Sequence, residues 1–238
     1  MAHIQLAGVR PSAIAGAWYP GSAPALRQAI QGYLRAVPDH DVAGEIIGLI
    51  APHAGYVYSG QVAAHAYRQI EGAEYDTVAV ISPIHRGYAV RAGAAITAVE
   101  SYSTPLGQAP LDKEMVNALA DRISPTLLRS EDEHSLEIQL PFLQVALERF
   151  DLLPVMMADQ SLPFCQQLGE ALAEVIRKSG RRVLLVASTD LSHFYPYQAA
   201  KRLDQVALDH IDAYDVQGLA QALERGATQA CGGGPVLA

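Results

Sequence analysis

The sequence is short of cysteine, of basic charge and of long apolar runs, and each shortage removes a class of protein. Only two cysteines, Cys165 and Cys231, occur in 238 residues, too few for a disulfide framework in a chain of this size. Lys and Arg number 17 against 25 Asp and Glu, a formal net charge of −8. A phosphate backbone would be repelled overall. The densest basic group, Arg177-Lys178 with Arg181-Arg182, reads as a helix end and a strand start and forms no patch, so nucleic acid is excluded as a main partner. No apolar run approaches the roughly 20 residues needed to span a bilayer, which leaves no membrane segment. The opening MAHIQLAGVRPSA has no basic region followed by an apolar stretch, so no secretory signal is read. A cytoplasmic location is expected.

Apolar material is plentiful. Half the residues are hydrophobic and 18% are charged, enough for a packed core and too little charge for a disordered chain. Five short, apolar, β-branched runs predict buried strands: Glu45–Ala51, Thr77–Ser82, Ala94–Val99, Leu152–Met157 and Arg182–Ser188. Helical spacing fills the intervals at Ala23–Ala36, Gln61–Ile70, Asp112–Ala120, Ser135–Phe150 and Phe164–Lys178, the last closing near Gly180. Two more helices are expected at Ala199–Ala213 and Val216–Arg225. Strands alternating with helices imply an α/β fold, with a mostly parallel or mixed central sheet and helices on both faces. No low-complexity or Pro/Ser-rich linker divides the chain, so residues 1–238 read as a single domain.

Chemistry gathers after three of the strands. GLIA leads into His53, AVIS into His85, and LLVAS into Asp190 and His193. Open α/β sheets bind ligands beyond the carboxyl ends of their strands. If these strands are parallel neighbours, the three imidazoles meet. Neutral imidazole is the commonest metal-ligand side chain, and converging imidazoles repel once protonated unless a cation replaces the protons. Each His taken alone is better read as a loop residue satisfied by a carbonyl, and it is the shared strand-end position of all three that favours a common site; His3, His40, His65 and His210 have no such context and are read as surface or helix-face residues. Asp190 fits either an orienting group for an imidazole or a turn residue. Cys231 stands in ACGGGP, where glycines allow close backbone approach and leave the thiol accessible. A thiol joining imidazoles makes a mixed N/S donor set suited to zinc, iron or copper, not to calcium or magnesium. Cys165 reads as a core or boundary residue.

The acidic run Glu131–Glu133 opens a helix, with capping the expected role of Glu131 and Asp132. Glu133 and His134 fit capping or a supporting role around a metal. The same holds for Trp18, the only tryptophan, whose plainest role is to pack the N-terminal arm. HAGY at His53–Tyr56 and HRGY at His85–Tyr88 use one construction twice and put Tyr56 among the supporting candidates.

Six stretches, AGAWYP (15–20), APHAGYVYSG (51–60), TPLG (104–107), EHSLEIQLPF (133–142), STDLSH (188–193) and CGGG (231–234), resemble in order and content the Memo family, whose prokaryotic members are called AmmeMemoRadiSam system protein B. The resemblance implies a fold similar to the class III extradiol dioxygenases. It also implies metal binding by His53, His85 and Cys231, and site positions at Asp190 and His193. Iron or copper is implied as the metal, with zinc as an alternative. Implied partners are a radical SAM protein and an AMMECR-type protein. Family members continue through a further helix and strand beyond the point where GPVLA ends this sequence. The dioxygenases use two His and a carboxylate; a thiol in the third place is softer and more easily oxidised, and favours redox or copper chemistry over ring cleavage.

The leading expectation is therefore a metal-dependent redox or dioxygenase-like oxidoreductase acting on an unidentified small molecule, with His193 as general acid/base oriented by Asp190. A non-catalytic peptide- or protein-binding module and a metal-dependent hydrolase are the alternatives.

Overall fold

The structure is a computed structural model that describes residues 4–38 and 42–238; His3 and His40 lie outside the described residues. In chain order the elements are β1 (Val9–Arg10), α1 (Ala23–Arg35), β2 (Gly48–Ala51), α2 (Tyr56–Arg68), β3 (Thr77–Pro83), β4 (Ala94–Thr97), β5 (Ser101–Thr104) and β6 (Gly107–Pro110). There follow α3 (Lys113–Ile123), β7 (Thr126–Leu128), α4 (His134–Glu137), α5 (Leu140–Ala146), β8 (Asp151–Met157) and α6 (Leu162–Ser179). The last elements are β9 (Val183–Ser188), α7 (Tyr197–Asp212), α8 (Val216–Glu224) and α9 (Gly233–Leu237).

Six strands form the main sheet in the order β2-β9-β3-β8-β4-β7. The first four run parallel, β4 is antiparallel to β8, and β7 is parallel to β4. This is the mixed α/β sheet the alternation predicts. Every residue of β3 is buried, as expected of a central strand covered on both faces. Helices α1, α2 and α5 pack on one another, and α6 packs against both α3 and α9. No helix among the described residues is long and apolar enough to cross a membrane.

The strand order positions the site. β9 lies between β2 and β3, and all three point the same way, with Ile50 opposite Ala187 and Ile81 also opposite Ala187. Their carboxyl ends therefore release His53, the Asp190–His193 segment and His85 side by side.

Several expected boundaries differ. The helix read over Ser135–Phe150 is two pieces, because Pro141 enters the first turn of α5 without an N–H for the preceding turn. Leu147 is already extended. Helix α2 starts at Tyr56, five residues before the expected Gln61, and runs through Ser59-Gly60. A side chain at Gly60 would place Cβ 2.7 Å from the Tyr33 ring, so this glycine marks a close crossing with α1 and not the boundary before the helix. The strand expected from Glu45 is paired as β2 only from Gly48. β1, β5 and β6 form a separate three-stranded sheet, and they, with β7, were not expected.

Candidate metal centre

His53, at the end of β2, is almost completely buried. Its backbone N–H donates to Asp190 Oδ1 at 2.7 Å, and Ala54 N–H reaches the same oxygen at 3.2 Å. Asp190 thus ties the end of β2 to the segment after β9. The ring is held by Nδ1, 2.9 Å from Ser188 Oγ, while Nε2 lies 2.9 Å from Cys231 Sγ.

Cys231 reaches this point because its loop lies almost on the end of β9. A Cβ on Gly232 would sit 2.1 Å from the Ser188 carbonyl oxygen; no other residue type allows that approach. Cys231 N–H donates to the Asp190 carbonyl at 3.1 Å, and Asp190 N–H points to Cys231 Sγ at 3.3 Å.

His85, after β3, is fixed by one carboxylate. Glu133 accepts its backbone N–H at 2.8 Å and faces its ring Nδ1 at 3.0 Å. The rings of His53 and His85 stand edge to face, 5.1 Å apart. Donor atoms of His53, His85 and Cys231 all fall within 4.8 Å of one another. Asp190, His193 and Cys231 form a second such group, and His85, Glu133 and His134 a third. Cys231 and His85 are shared, so the three groups are one continuous cluster.

His193 sits at its rim. The ring is 40% exposed and its Nε2 is 3.3 Å from Asp190 Oδ2. His134 lies deeper in the cluster: its ring stacks on His85 at 4.6 Å, stands 5.6 Å from His53, and contacts Trp18 at 4.3 Å. Trp18 is therefore a wall of the cluster as well as part of the N-terminal arm. Tyr56 is elsewhere in function. Its hydroxyl donates to the Ile138 carbonyl at 2.9 Å and its ring packs with Tyr19 and Phe142 in the core.

The acidic run divides its work differently from a simple cap. Glu133 is the cap of α4, accepting from Ser135 N–H. Glu131 instead pairs with the buried Arg10, and Asp132 with Arg86 and the Tyr88 hydroxyl. Glu137 is wholly buried and accepts from Arg10, Ser12, Tyr19 and the backbone N–H groups of Ala13 and Ile14. These bonds clamp the N-terminal arm, and with it Trp18, over α4. Among the remaining histidines, His65 is exposed on α2, and His210 on α7 pairs with Asp215 at 2.9 Å. Cys165 is buried.

The electrostatics follow from these contacts. Burial alone would push the Cys231 thiol up, but hydrogen bonds to His53 and His85 outweigh it and hold the thiol at about 6. The His85 imidazole is raised to about 9 by its hydrogen bonds to Cys231 and then Glu133. Burial opposes the Glu133 charge, yet the His85 ring and backbone and Ser135 N–H bring the carboxyl down to about 2. Burial lowers His134 to about 4, so it stays neutral at pH 7.

Such a donor set fits a metal ion. Each ring of the first group has Nδ1 committed to a protein oxygen and leaves Nε2 on the thiol side, which is how metal-binding histidines are generally held. The thiol is ionised near neutrality, as a metal ligand must be. Three protein donors are the usual complement of a catalytic site with an open position.

With this geometry established, comparison with known proteins places the chain. The family model described as Memo-like protein matches residues 10–238. The chain belongs to the Memo family. A MEMO1 family protein of Methanosarcina mazei is 35% identical over 233 residues, covering 97% of this chain and 84% of the relative. A MEMO1 family protein of Methanopyrus kandleri is 35% identical over 243 residues, with 96% and 84% covered. One from Pyrobaculum aerophilum is 31% identical over 238 residues, with the same coverage. Apart from His85, the Memo chain's clustered residues fall inside the motifs that carry the resemblance: PHAG holds His53, EHSLE holds Glu133 and His134, STDLSH holds Ser188, Asp190 and His193, and CGGG holds Cys231.

Proposed function

We propose that this Memo-family chain is a metal-dependent oxidoreductase of dioxygenase-like type, acting on a small molecule, with His53, His85 and Cys231 as the metal ligands. The observation that carries the reading is the meeting of two imidazole nitrogens and one acidic thiol within 4.8 Å, each imidazole held from behind. This N₂S set suits iron or copper, with zinc as the alternative. A redox metal would supply electron transfer and activation of a bound molecule.

The chain's own residues do the rest. His193, exposed at the rim and 3.3 Å from Asp190 Oδ2, is placed to exchange a proton with a substrate, and Asp190 orients its ring. A cavity of about 430 Å³ lined by Gln160, Leu191, His193, Leu223, Cys231 and Gly234 opens beside the thiol and gives a small molecule room against both groups. Trp18 and His134 pack against the cluster beside His85. The relation to radical SAM and AMMECR-type proteins is a proposal by family resemblance: they would deliver or receive the small molecule.

A second reading, a binding module for a peptide or protein, draws on the exposed aromatics that follow His193. Phe194, Tyr195 and Tyr197 are all open to solvent.

Elemental analysis tests the first reading. Purified wild-type protein is expected to carry iron or copper, His53→Ala and His85→Ala to lose it, and His193→Ala to retain it. Stoichiometric metal in both ligand variants would overturn the assignment.

A further inference from the structure

Behind His53 lies a row of buried polar groups that the function above does not use: Ser188, Gln139 and Tyr67, each 1% exposed or less. Their hydrogen bonds can be assigned one after another, because the row ends on carbonyl oxygens that can only accept.

Gln139 Nε2 faces the Pro52 carbonyl at 3.0 Å and the Ala51 carbonyl at 3.4 Å. The amide nitrogen is therefore on that side, and Oε1 is free to accept from the Tyr67 hydroxyl at 2.7 Å. The same Nε2 donates to Ser188 Oγ at 2.7 Å. Ser188 has one hydrogen, and it goes to the Ser135 carbonyl at 2.7 Å. One acceptor site remains on Ser188 Oγ, and it faces His53 Nδ1 at 2.9 Å. The imidazole must then donate from Nδ1. The opposite choice, Ser188 donating to the ring, would set two oxygen lone-pair regions face to face at the Ser135 carbonyl.

We infer that Gln139 and Ser188 are positioning residues that keep a proton on His53 Nδ1, so that the neutral ring always has its Nε2 lone pair free for a bound cation. A histidine free in water favours the other tautomer, which would aim a hydrogen at the ligand position. The inference rests on the metal-binding reading for the identity of what Nε2 meets, while the tautomer belongs to the protein alone. His85 is held by a carboxylate and needs no such relay. His53, with a hydroxyl behind it, does, since a hydroxyl accepts or donates according to its own neighbours.

The test is ¹⁵N spectroscopy of the histidine rings in the metal-free full chain carrying Cys231→Ala, at about pH 9, where ordinary imidazoles are neutral and no thiolate stands before Nε2 to draw a proton onto it. The His53 signals, assigned by their loss in His53→Ala, are expected to show a protonated Nδ1 and a lone pair on Nε2. A protonated Nε2 with a bare Nδ1 in that protein overturns the inference. Adding Ser188→Ala to it is expected to shift the ring toward Nε2–H, and Ser188→Ala alone is expected to weaken zinc binding by about 10–100-fold. Ser188→Thr, which keeps the hydroxyl, is expected to preserve both. An unchanged tautomer in Ser188→Ala, or unchanged zinc affinity in a folded Ser188→Ala protein, sinks the relay but leaves the metal reading standing. An Nδ1–H ring in the Cys231→Ala protein, together with a wild-type protein that takes up no zinc, iron or copper, supports the relay and sinks the metal reading.

Discussion

Cys231 Sγ lies 2.9 Å from His53 Nε2, although 178 residues separate the two in the chain. The contact joins the loop before α9 to the end of β2, across the end of β9. In the metal-free protein this contact and the one with His85 make the thiol an acid of about 6, while Cys231 and Glu133 make His85 a base of about 9. Cys231's share of stability is lost as pH falls through about 6, and His85's as pH rises through about 9. Alkylation of metal-free protein by iodoacetamide should therefore reach half its plateau rate near pH 6. Half-reaction near pH 9, the ordinary thiol value, would contradict the geometry. Cys165, buried and pushed up to about 11, serves as the silent control.

Glu133 is the second point of control. It holds His85 through ring and backbone and caps α4, and its carboxyl is lowered to about 2. Its stabilising effect is present above the unfolded value near 4.5 and is lost as pH falls toward 2. Glu133→Gln should cost about 3 kcal/mol near neutrality, the loss of charge-assisted bonds at a buried site. The gap to wild type in urea unfolding should narrow as pH drops from about 4.5 to 2.5. A gap independent of pH would mean that the charge of Glu133 is not what matters.

Arg10 carries the N-terminal arm. It is fully buried between Glu131 and Glu137, and their charges raise its already high pKa against the cost of burial. Arg10→Ala leaves two buried carboxylates without their partner and should destabilise the fold by about 3–5 kcal/mol. Arg10→Ala with Glu131→Gln and Glu137→Gln should recover part of that loss, and a thermal or chemical unfolding series reads it. No recovery would show that packing, not charge, holds the arm.

Trp18 is the chain's only tryptophan and stands 4.3 Å from the His134 ring. Its fluorescence should be quenched as Co²⁺ or Cu²⁺ fills the cluster, with a midpoint that matches metal uptake by dialysis. The response should vanish in His53→Ala. Quenching that survives there would place the metal elsewhere.

Much of this arrangement is legible in the residues. Strands ending in His53, His85 and the Asp190–His193 segment are readable because each is a short apolar run stopped by proline or a polar turn. Their meeting required only that β2, β9 and β3 be parallel neighbours, which alternation with helices favours. What was not legible is what long-range pairing decides. β5 and β6 are polar hairpin strands, SYST and GQAP, with no apolar alternation to announce them, and β7 is three residues at a sheet edge. Arg10 and Glu137 look like surface charges until the arm folds back on α4. Gln139 did leave a signal: it lies between Leu136 and Leu143 on the apolar stripe of the helix expected over Ser135–Phe150, where a polar side chain must have partners. Those partners, Tyr67 and Ser188, are known only from the fold.

X-ray absorption at the metal edge of the metal-loaded chain reads the ligand atoms themselves. One sulfur scatterer at about 2.3 Å and two imidazole nitrogens at about 2.0–2.1 Å are expected for a zinc-substituted centre, with the sulfur lost in Cys231→Ser. A metal bound with no sulfur neighbour in the wild type would contradict this ligand set.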